Sequence, residues 1–359
     1  MKKKIHRRKS KRKVLESQQS VNNRSGNYAE RSRRKRFRRK REIRKRIFLL
    51  VGEVLLLWGI ITFAVLKVME MTNEKEINVQ QKTVQQLSVA EEGMLDISAK
   101  SGYVEKELEE NSICKGNLIL VNGNYEYKDK NVENALVSVY DCKNNCYYVK
   151  DKNVMLHKEV IDSFNCMLKR FSQVTDNTQV MIVSGYRNRE YQSQLYEENL
   201  QQTGRHYSDT VTKPGHSEHH TGYSLDLGIY APGADQSYNG EGIYQWINKN
   251  SWRYGFIVRY PEGKKEGTEI DYEPWHFRYV GAPHAQIMYE NNWCLEEYLS
   301  YIKKYTVDKE HYKFTSCKKK KYEIYFVEGK TRKTILVPEN KNYWISGNNM
   351  DGYIVTVEQ

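Results

Sequence analysis

Cysteine is absent from the first 113 residues of this 359-residue chain, and acidic side chains are nearly absent from its first 46. The second shortage decides how the net charge of +13 is read. Residues 1–46 hold 22 Lys and Arg against three Glu, about +19, so residues 47–359 together carry about −6. The excess is one tail, which excludes a chain that is basic throughout. Cys142 and Cys146 are spaced C-x3-C, but no second pair matches them, so a zinc-finger reading lacks its other half. No small-x-small cleavage site occurs in "KVMEMTNEK" (67–75), which argues against a removed signal peptide.

Directly after the tail comes "IFLLVGEVLLLWGIITFAVL", Ile47 to Leu66, broken only by Glu53 near its start. Twenty residues make a helix of about 30 Å, the thickness of a bilayer core. The cluster "RSRRKRFRRKREIRKR" (31–46) abuts it on the N-terminal side. The positive-inside rule then predicts a single-pass plasma-membrane protein with a cytoplasmic N-terminus and everything beyond about residue 68 outside. A Lys/Arg run beside a span sets topology and can touch anionic lipid, so no nucleic-acid partner is expected. All six cysteines fall on the outer side. An even number there suits disulfides, in pairings that sequence leaves open, or else free buried thiols.

The patterning predicts five regions. Residues 1–46 are the cytoplasmic tail, 47–67 the transmembrane helix and 68–115 a polar stalk. Residues 116–305 form the main domain and 306–359 a small β-rich module. In the main domain, "NLILVNG" (117–123), "ALVSVYD" (135–141), "CYYVK" (146–150), "QVMIVSGYR" (179–187) and "GYSLDLGIY" (222–230) read as strands. Residues 158–174, 188–204, 242–256 and 282–305 read as helices, the second closed by Gly204. Strands are expected at 322–328, 333–338, 343–347 and 352–359.

Chemistry concentrates in "PGHSEHHTGYSLD" (214–226). Three histidines crowd five positions, yet one short loop rarely supplies three ligands to one tetrahedral ion. His219 and Asp226 are seven apart, with Gly222 allowing the chain to turn between them. A catalytic zinc takes three protein ligands, imidazole nitrogen and carboxylate oxygen among them, and keeps a position open. "EPWH" offers His276 as the third ligand, and Glu273 three residues before it as a base for the attacking water. His216 and His220 fall outside this pattern, and His206 and His284 have no assignment. Trp275 is expected to pack the cleft wall.

"SGYRNREYQSQLY", "PGHSEHHTGYSLDL" and "RYPEGKKEGTEIDYEPWHFRYVG" together resemble the VanY-type D-alanyl-D-alanine carboxypeptidases, zinc DD-peptidases related to the VanX-type dipeptidases. The resemblance covers about residues 117–300, and the pattern S-x-H-x6-D plus E-x-W-H is met by Ser217, His219, Asp226, Glu273 and His276. It implies an α+β fold in which a small antiparallel sheet with flanking helices forms a zinc cleft. It also implies hydrolysis of the bond before the C-terminal D-Ala of peptidoglycan stem peptides, on the wall or on lipid-linked precursor. L,D-carboxypeptidase, D,D-dipeptidase and non-catalytic wall-binding roles stand as alternatives. His219, Asp226 and His276 would hold Zn2+, with Glu273 as general base and then proton donor. Arg187 would stabilise the oxyanion, and Gln192 and Ser217 would hold the substrate's terminal carboxylate. The chain departs from the pattern at Asn188, where Ser or Thr is expected, and at Ser224, where Ala is common.

Overall fold

The computed structural model describes Lys67 and residues 102–208, 210–329 and 332–359. The basic tail, the apolar run 47–66 and most of the expected stalk lie outside the described residues. Among the described residues no helix is long and apolar enough to cross a membrane.

Among the described residues the first strand, β1 (Tyr103–Glu107), lies inside the stretch expected as stalk. The expected strand at 117–123 is not one. Leu118, Ile119, Leu120 and Val121 are buried, but their backbone joins no ladder. Instead Leu118 N–H donates to Ser346 Oγ (2.9 Å) and Leu120 N–H to Asn348 O (3.1 Å). The expected strand at 135–141 shortens to β2 (Leu136–Ser138), because the Ser138 hydroxyl accepts from Asp141 N–H and turns Val139–Cys142 into a helical turn. β3 (Tyr148–Val149) and β4 (Met155–His157) come next, and β4 pairs with β2.

Helix α1 (Lys158–Thr175) buries Val160, Ile161, Phe164, Met167, Leu168 and Phe171, three and four residues apart, on one face. That stripe packs on a sheet built from β5 (Val180–Ser184), β6 (Ser224–Ile229), β7 (Gln236–Ser237), β8 (Phe256–Val258) and β9 (His276–Tyr279), with β3 at one edge. The order is β3-β5-β6-β9-β8, with β7 against β6. All pairs are antiparallel except β3 with β5, so the sheet is mixed at that edge. Between β5 and β6 runs α2 (Arg189–Thr203), closed by Gly204 as expected. The helix expected at 242–256 survives only as Gln245–Asn250 between single 3-10 turns.

The helix expected at 282–305 is two helices, α3 (Ala282–Asn291) and α4 (Leu295–Ile302). Asn292 takes a left-handed φ of 54° at the break, and Cys294 N–H is capped by the Glu297 carboxylate at 2.8 Å. Beyond them lie β10 (Tyr312–Thr315), β11 (Lys321–Glu328), β12 (Thr334–Pro338), β13 (Asn342–Gly347) and β14 (Gly352–Glu358). The second sheet has the order β10-β11-β14-β13, and β12 pairs with β1. Along β11 and β14 the side chains alternate. Ile324, Phe326 and Ile354 face α3 and α4, while Tyr325, Val327, Tyr353 and Val355 share a core with Ile335 and Val337 of β12. The C-terminal strands therefore share a core with the helices before them, and the described residues from 102 onward belong to one compact unit. The six cysteines are all unpaired.

Candidate active site

The site arises from strand alternation and register. On β6, Leu225, Leu227 and Ile229 enter the core, which leaves Asp226 on the opposite face. On β9, Phe277 enters the core and His276 does not. The antiparallel register sets Asp226 directly across from His276 and Ser184 across from Asp226. His219 arrives from a 3-10 turn, Glu218–Thr221, just before β6. Gly222 ends that turn at φ +69°, where an added Cβ would lie 2.5 Å from Leu136 Cδ2. The left-handed conformation is what favours glycine here, while a Cβ would also make the Leu136 methyl shift.

These elements bring the ligand atoms of His219, Asp226 and His276 within 4.8 Å of one another. His219 Nδ1–H donates to Gly185 O (2.6 Å), which turns Nε2 towards Asp226 Oδ2 at 3.1 Å. That Nε2 is buried and has no hydrogen-bond partner. His276 presents Nδ1 to Asp226 Oδ1 at 2.9 Å. Two imidazole nitrogens and a carboxylate converging with one nitrogen orphaned fit a zinc ion by donor type. The electrostatics of the two imidazoles differ. Burial pushes the His219 imidazole down to about 4, so it is neutral and ready to bind a cation near pH 7. Burial opposes charge on His276 too, but Asp226 and Glu218 outweigh it and lift that imidazole to about 9.

The other predicted residues line the same cleft, of about 250 Å³. Glu273 Oε2 is 3.9 Å from His276 Nδ1, and burial raises its carboxyl to about 7. Arg187 Nη2 reaches Asp226 Oδ2 at 3.3 Å and Nη1 donates to Gln192 Oε1 at 3.1 Å. Its Nε is buried with no partner. Gln192 is buried, and its Nε2 donates to Thr212 O at 2.8 Å. Ser217 is buried in the cleft wall, and Trp275 stands half-exposed at its rim.

His216 and His220 point elsewhere. His216 Nδ1 meets Asn122 O at 2.7 Å. His220 accepts from Gly215 N–H (2.9 Å) and donates from Nδ1 to Arg187 O (2.7 Å), which ties the loop to the arginine's backbone. His206 is exposed, and His284 is buried far along the chain between Tyr298 and Thr356. Asn188 caps α2, its Oδ1 accepting from Tyr191 N–H at 2.8 Å, the work a Ser or Thr would do there.

Four further residues surround the site. Tyr260 lines the cleft, its ring centroid 5.1 Å from that of His276. Glu218 lines the cleft as well and is fully buried with Arg259 and Arg278. Burial pushes the Glu218 carboxyl up, but Arg259 and Arg278 overcome this and hold it well below the usual range. Ser224, the other departure from the pattern, donates to Glu218 Oε2 at 3.2 Å.

Comparison with known proteins gives a consistent family. Residues 153–282 match the family model described as VanY, D-alanyl-D-alanine carboxypeptidase. A D-alanyl-D-alanine carboxypeptidase of Enterococcus faecium is 40% identical over 256 residues, covering 70% of this chain and 78% of that one. The bifunctional D-Ala-D-Ala dipeptidase and carboxypeptidase VanXYC of Enterococcus gallinarum is 36% identical over 157 residues, 42% of this chain and 81% of that one. Among solved structures, the vancomycin resistance D,D-dipeptidase VanXYg in complex with a D-Ala-D-Ala phosphinate analogue superposes with a TM-score of 0.64. It is 37% identical and covers 72% of this chain and 99% of that one.

Proposed function

The chain belongs to the VanY family of D-alanyl-D-alanine carboxypeptidases, and from that premise we propose that it is a membrane-anchored zinc enzyme releasing the terminal D-Ala of peptidoglycan stem peptides. The observation that carries this reading is the convergence of His219, Asp226 and His276 beside Glu273 and Arg187 in one open cleft. His219 Nε2, Asp226 and His276 Nδ1 would hold Zn2+. A zinc ion there supplies Lewis acidity to water and to a carbonyl oxygen.

The chain's own groups do the rest. Hydrolysis adds water across the C–N bond before the last residue. One water proton leaves as the new C–O bond forms, and one proton must reach the departing amine as the C–N bond breaks. Glu273 stands at the mouth of the ligand set and can accept the first and deliver it as the second. Arg187 is held against Asp226 and Gln192 with its Nε unpaired, so its guanidinium is fixed before substrate arrives. A preorganised cation of this kind stabilises the negative charge that develops on the scissile carbonyl oxygen. Gln192 and Ser217 lie in the same wall, suitable for the terminal carboxylate. The apolar run 47–66 with its basic flank supports an anchor that leaves this cleft outside the cell, facing wall or lipid-linked substrate.

Full-length protein incubated with a pentapeptide ending in D-Ala-D-Ala should release D-Ala, and a chelator should abolish the release. Tetrapeptide cleavage without pentapeptide cleavage would replace D,D- by L,D-specificity, and no chelator-sensitive release from either would sink the proposal. Dipeptidase action is a second reading, favoured by the similarity to VanXYC and VanXYg. Free D-Ala-D-Ala in the same assay tests it.

A further inference from the structure

Next to the His276 ring lie four charged side chains from four parts of the chain, of which Glu218 also lines the cleft. Glu218 Oε1 accepts from Arg259 Nε (2.7 Å) and from Arg278 Nη1 (2.8 Å). Arg259 is forked onto Glu296 of α4 at 3.0 and 2.6 Å. Arg278 Nη2 donates to the backbone oxygens of Asn117 (3.0 Å) and Ile119 (2.8 Å). Both guanidiniums and the Glu218 carboxylate are wholly buried. Two anions and two cations balance, the condition under which burying such groups is tolerable. The other oxygen, Glu218 Oε2, takes the Ser224 hydroxyl and faces His276 Nε2 at 3.7 Å. That nitrogen is buried and has no partner within hydrogen-bond distance.

We infer that Glu218 is a positioning residue that fixes the tautomer and orientation of His276 for the metal. The inference rests on the proposed zinc site. A carboxylate only accepts hydrogen bonds, so before metal binds His276 Nδ1 carries a proton towards Asp226 Oδ1 at 2.9 Å. A metal on Nδ1 would displace that proton and leave the ring N–H on Nε2, facing Glu218 Oε2 at 3.7 Å. A carboxylate behind a metal-binding imidazole also raises the basicity of the ligand nitrogen. The two arginines occupy Oε1 and stop the carboxylate from rotating. Glu296, Asn117 and Ile119 in turn hold the arginines. The control of one ligand therefore extends to α4 and to residues 117–119, outside the stretch 153–282 that the family model matches.

In Glu218→Gln, the two arginine donors hold the amide oxygen on their side. The amide N–H2 then points at His276 Nε2 and asks it to accept, which keeps the ring proton on Nδ1, where the metal must bind. Losing an outer-shell partner typically costs about 10–100-fold in metal affinity. Full-length Glu218→Gln should bind zinc weaker by that factor in chelator competition. Its KM for pentapeptide at saturating zinc should be unchanged. Because the single change leaves a buried positive charge in excess, Glu218→Gln/Arg278→Gln restores the balance. It should recover thermal stability while zinc affinity stays low. Wild-type affinity in the folded double variant, or in the single one, would overturn the inference alone. Failure of the wild type to bind zinc would remove the proposed function and this inference with it.

Discussion

Glu273 separates holding the metal from using it. It is not among the three converging ligands, so Glu273→Gln should leave zinc affinity within about twofold while kcat falls by about 10²–10⁴, the usual worth of a positioned acid–base group. Metal analysis and steady-state kinetics on one preparation check both halves. Equal loss of zinc would make Glu273 a ligand instead. Arg187→Lys keeps the charge but not the fork that spans Asp226 and Gln192, and kcat should fall by about 10²–10³ with a smaller change in KM. At this scale the convergence of His219, Asp226 and His276 is legible in the sequence because strand pairing turns spacing into contact. Asp226 and His276 are 50 residues apart and still sit opposite each other in the ladder. Glu218, Arg259, Arg278 and Glu296 meet by tertiary packing alone, with no local spacing to announce them, so the sequence does not single them out. Ser224 reads as a departure from the family pattern, and only its bond to Glu218 gives it a place.

Elements with a strong period are the readable ones. The stripe on α1 and the alternation on β6 each have one physical solution, so they appear where the pattern puts them. Phe164 lies at the centre of the α1 stripe, edge-on to Tyr147 and Phe256 with no exposure. Phe164→Ala should destabilise by about 3–5 kcal/mol, read as a lower urea midpoint. The run 117–123 has no such unique solution. "NLILV" suits a buried strand, but its backbone groups are taken by Arg278, Ser346, Asn348 and Asn349, none of which is near it in sequence. The break between α3 and α4 rests on a left-handed Asn292 and a capping Glu297, which a continuous apolar period from 282 to 305 conceals.

Across the whole molecule, charge divides a tail of about +19 from a remainder of about −6, and the division falls at the apolar run 47–66. Removing residues 1–67 should move the protein from the membrane fraction to the soluble one, and retention in membranes would refute the anchor. A second whole-molecule feature is the seam between α3, α4 and the C-terminal sheet, for which the sequence suggests no role beyond packing. His284 of α3 sits in that seam, fully buried, its Nδ1 2.6 Å from the Tyr298 hydroxyl and its Nε2 3.0 Å from Thr356 Oγ1 on β14. Burial pushes this imidazole from its ordinary 6.5 down to about 3. Between those two values the unfolded chain binds a proton at this position and the folded chain does not. Stability from this residue is therefore complete above about pH 6.5 and drains as pH falls towards 3, by up to about 1.4 kcal/mol per pH unit. His219 is depressed by burial as well, so the wild-type slope alone would not isolate His284. The difference between wild type and His284→Gln does. Urea unfolding at pH 7 and pH 5 should show the wild type losing about 2 kcal/mol more than the variant over that interval. Equal losses would mean that this site admits a charged imidazole, and that its burial does not tie α3 and α4 to the C-terminal sheet against acid.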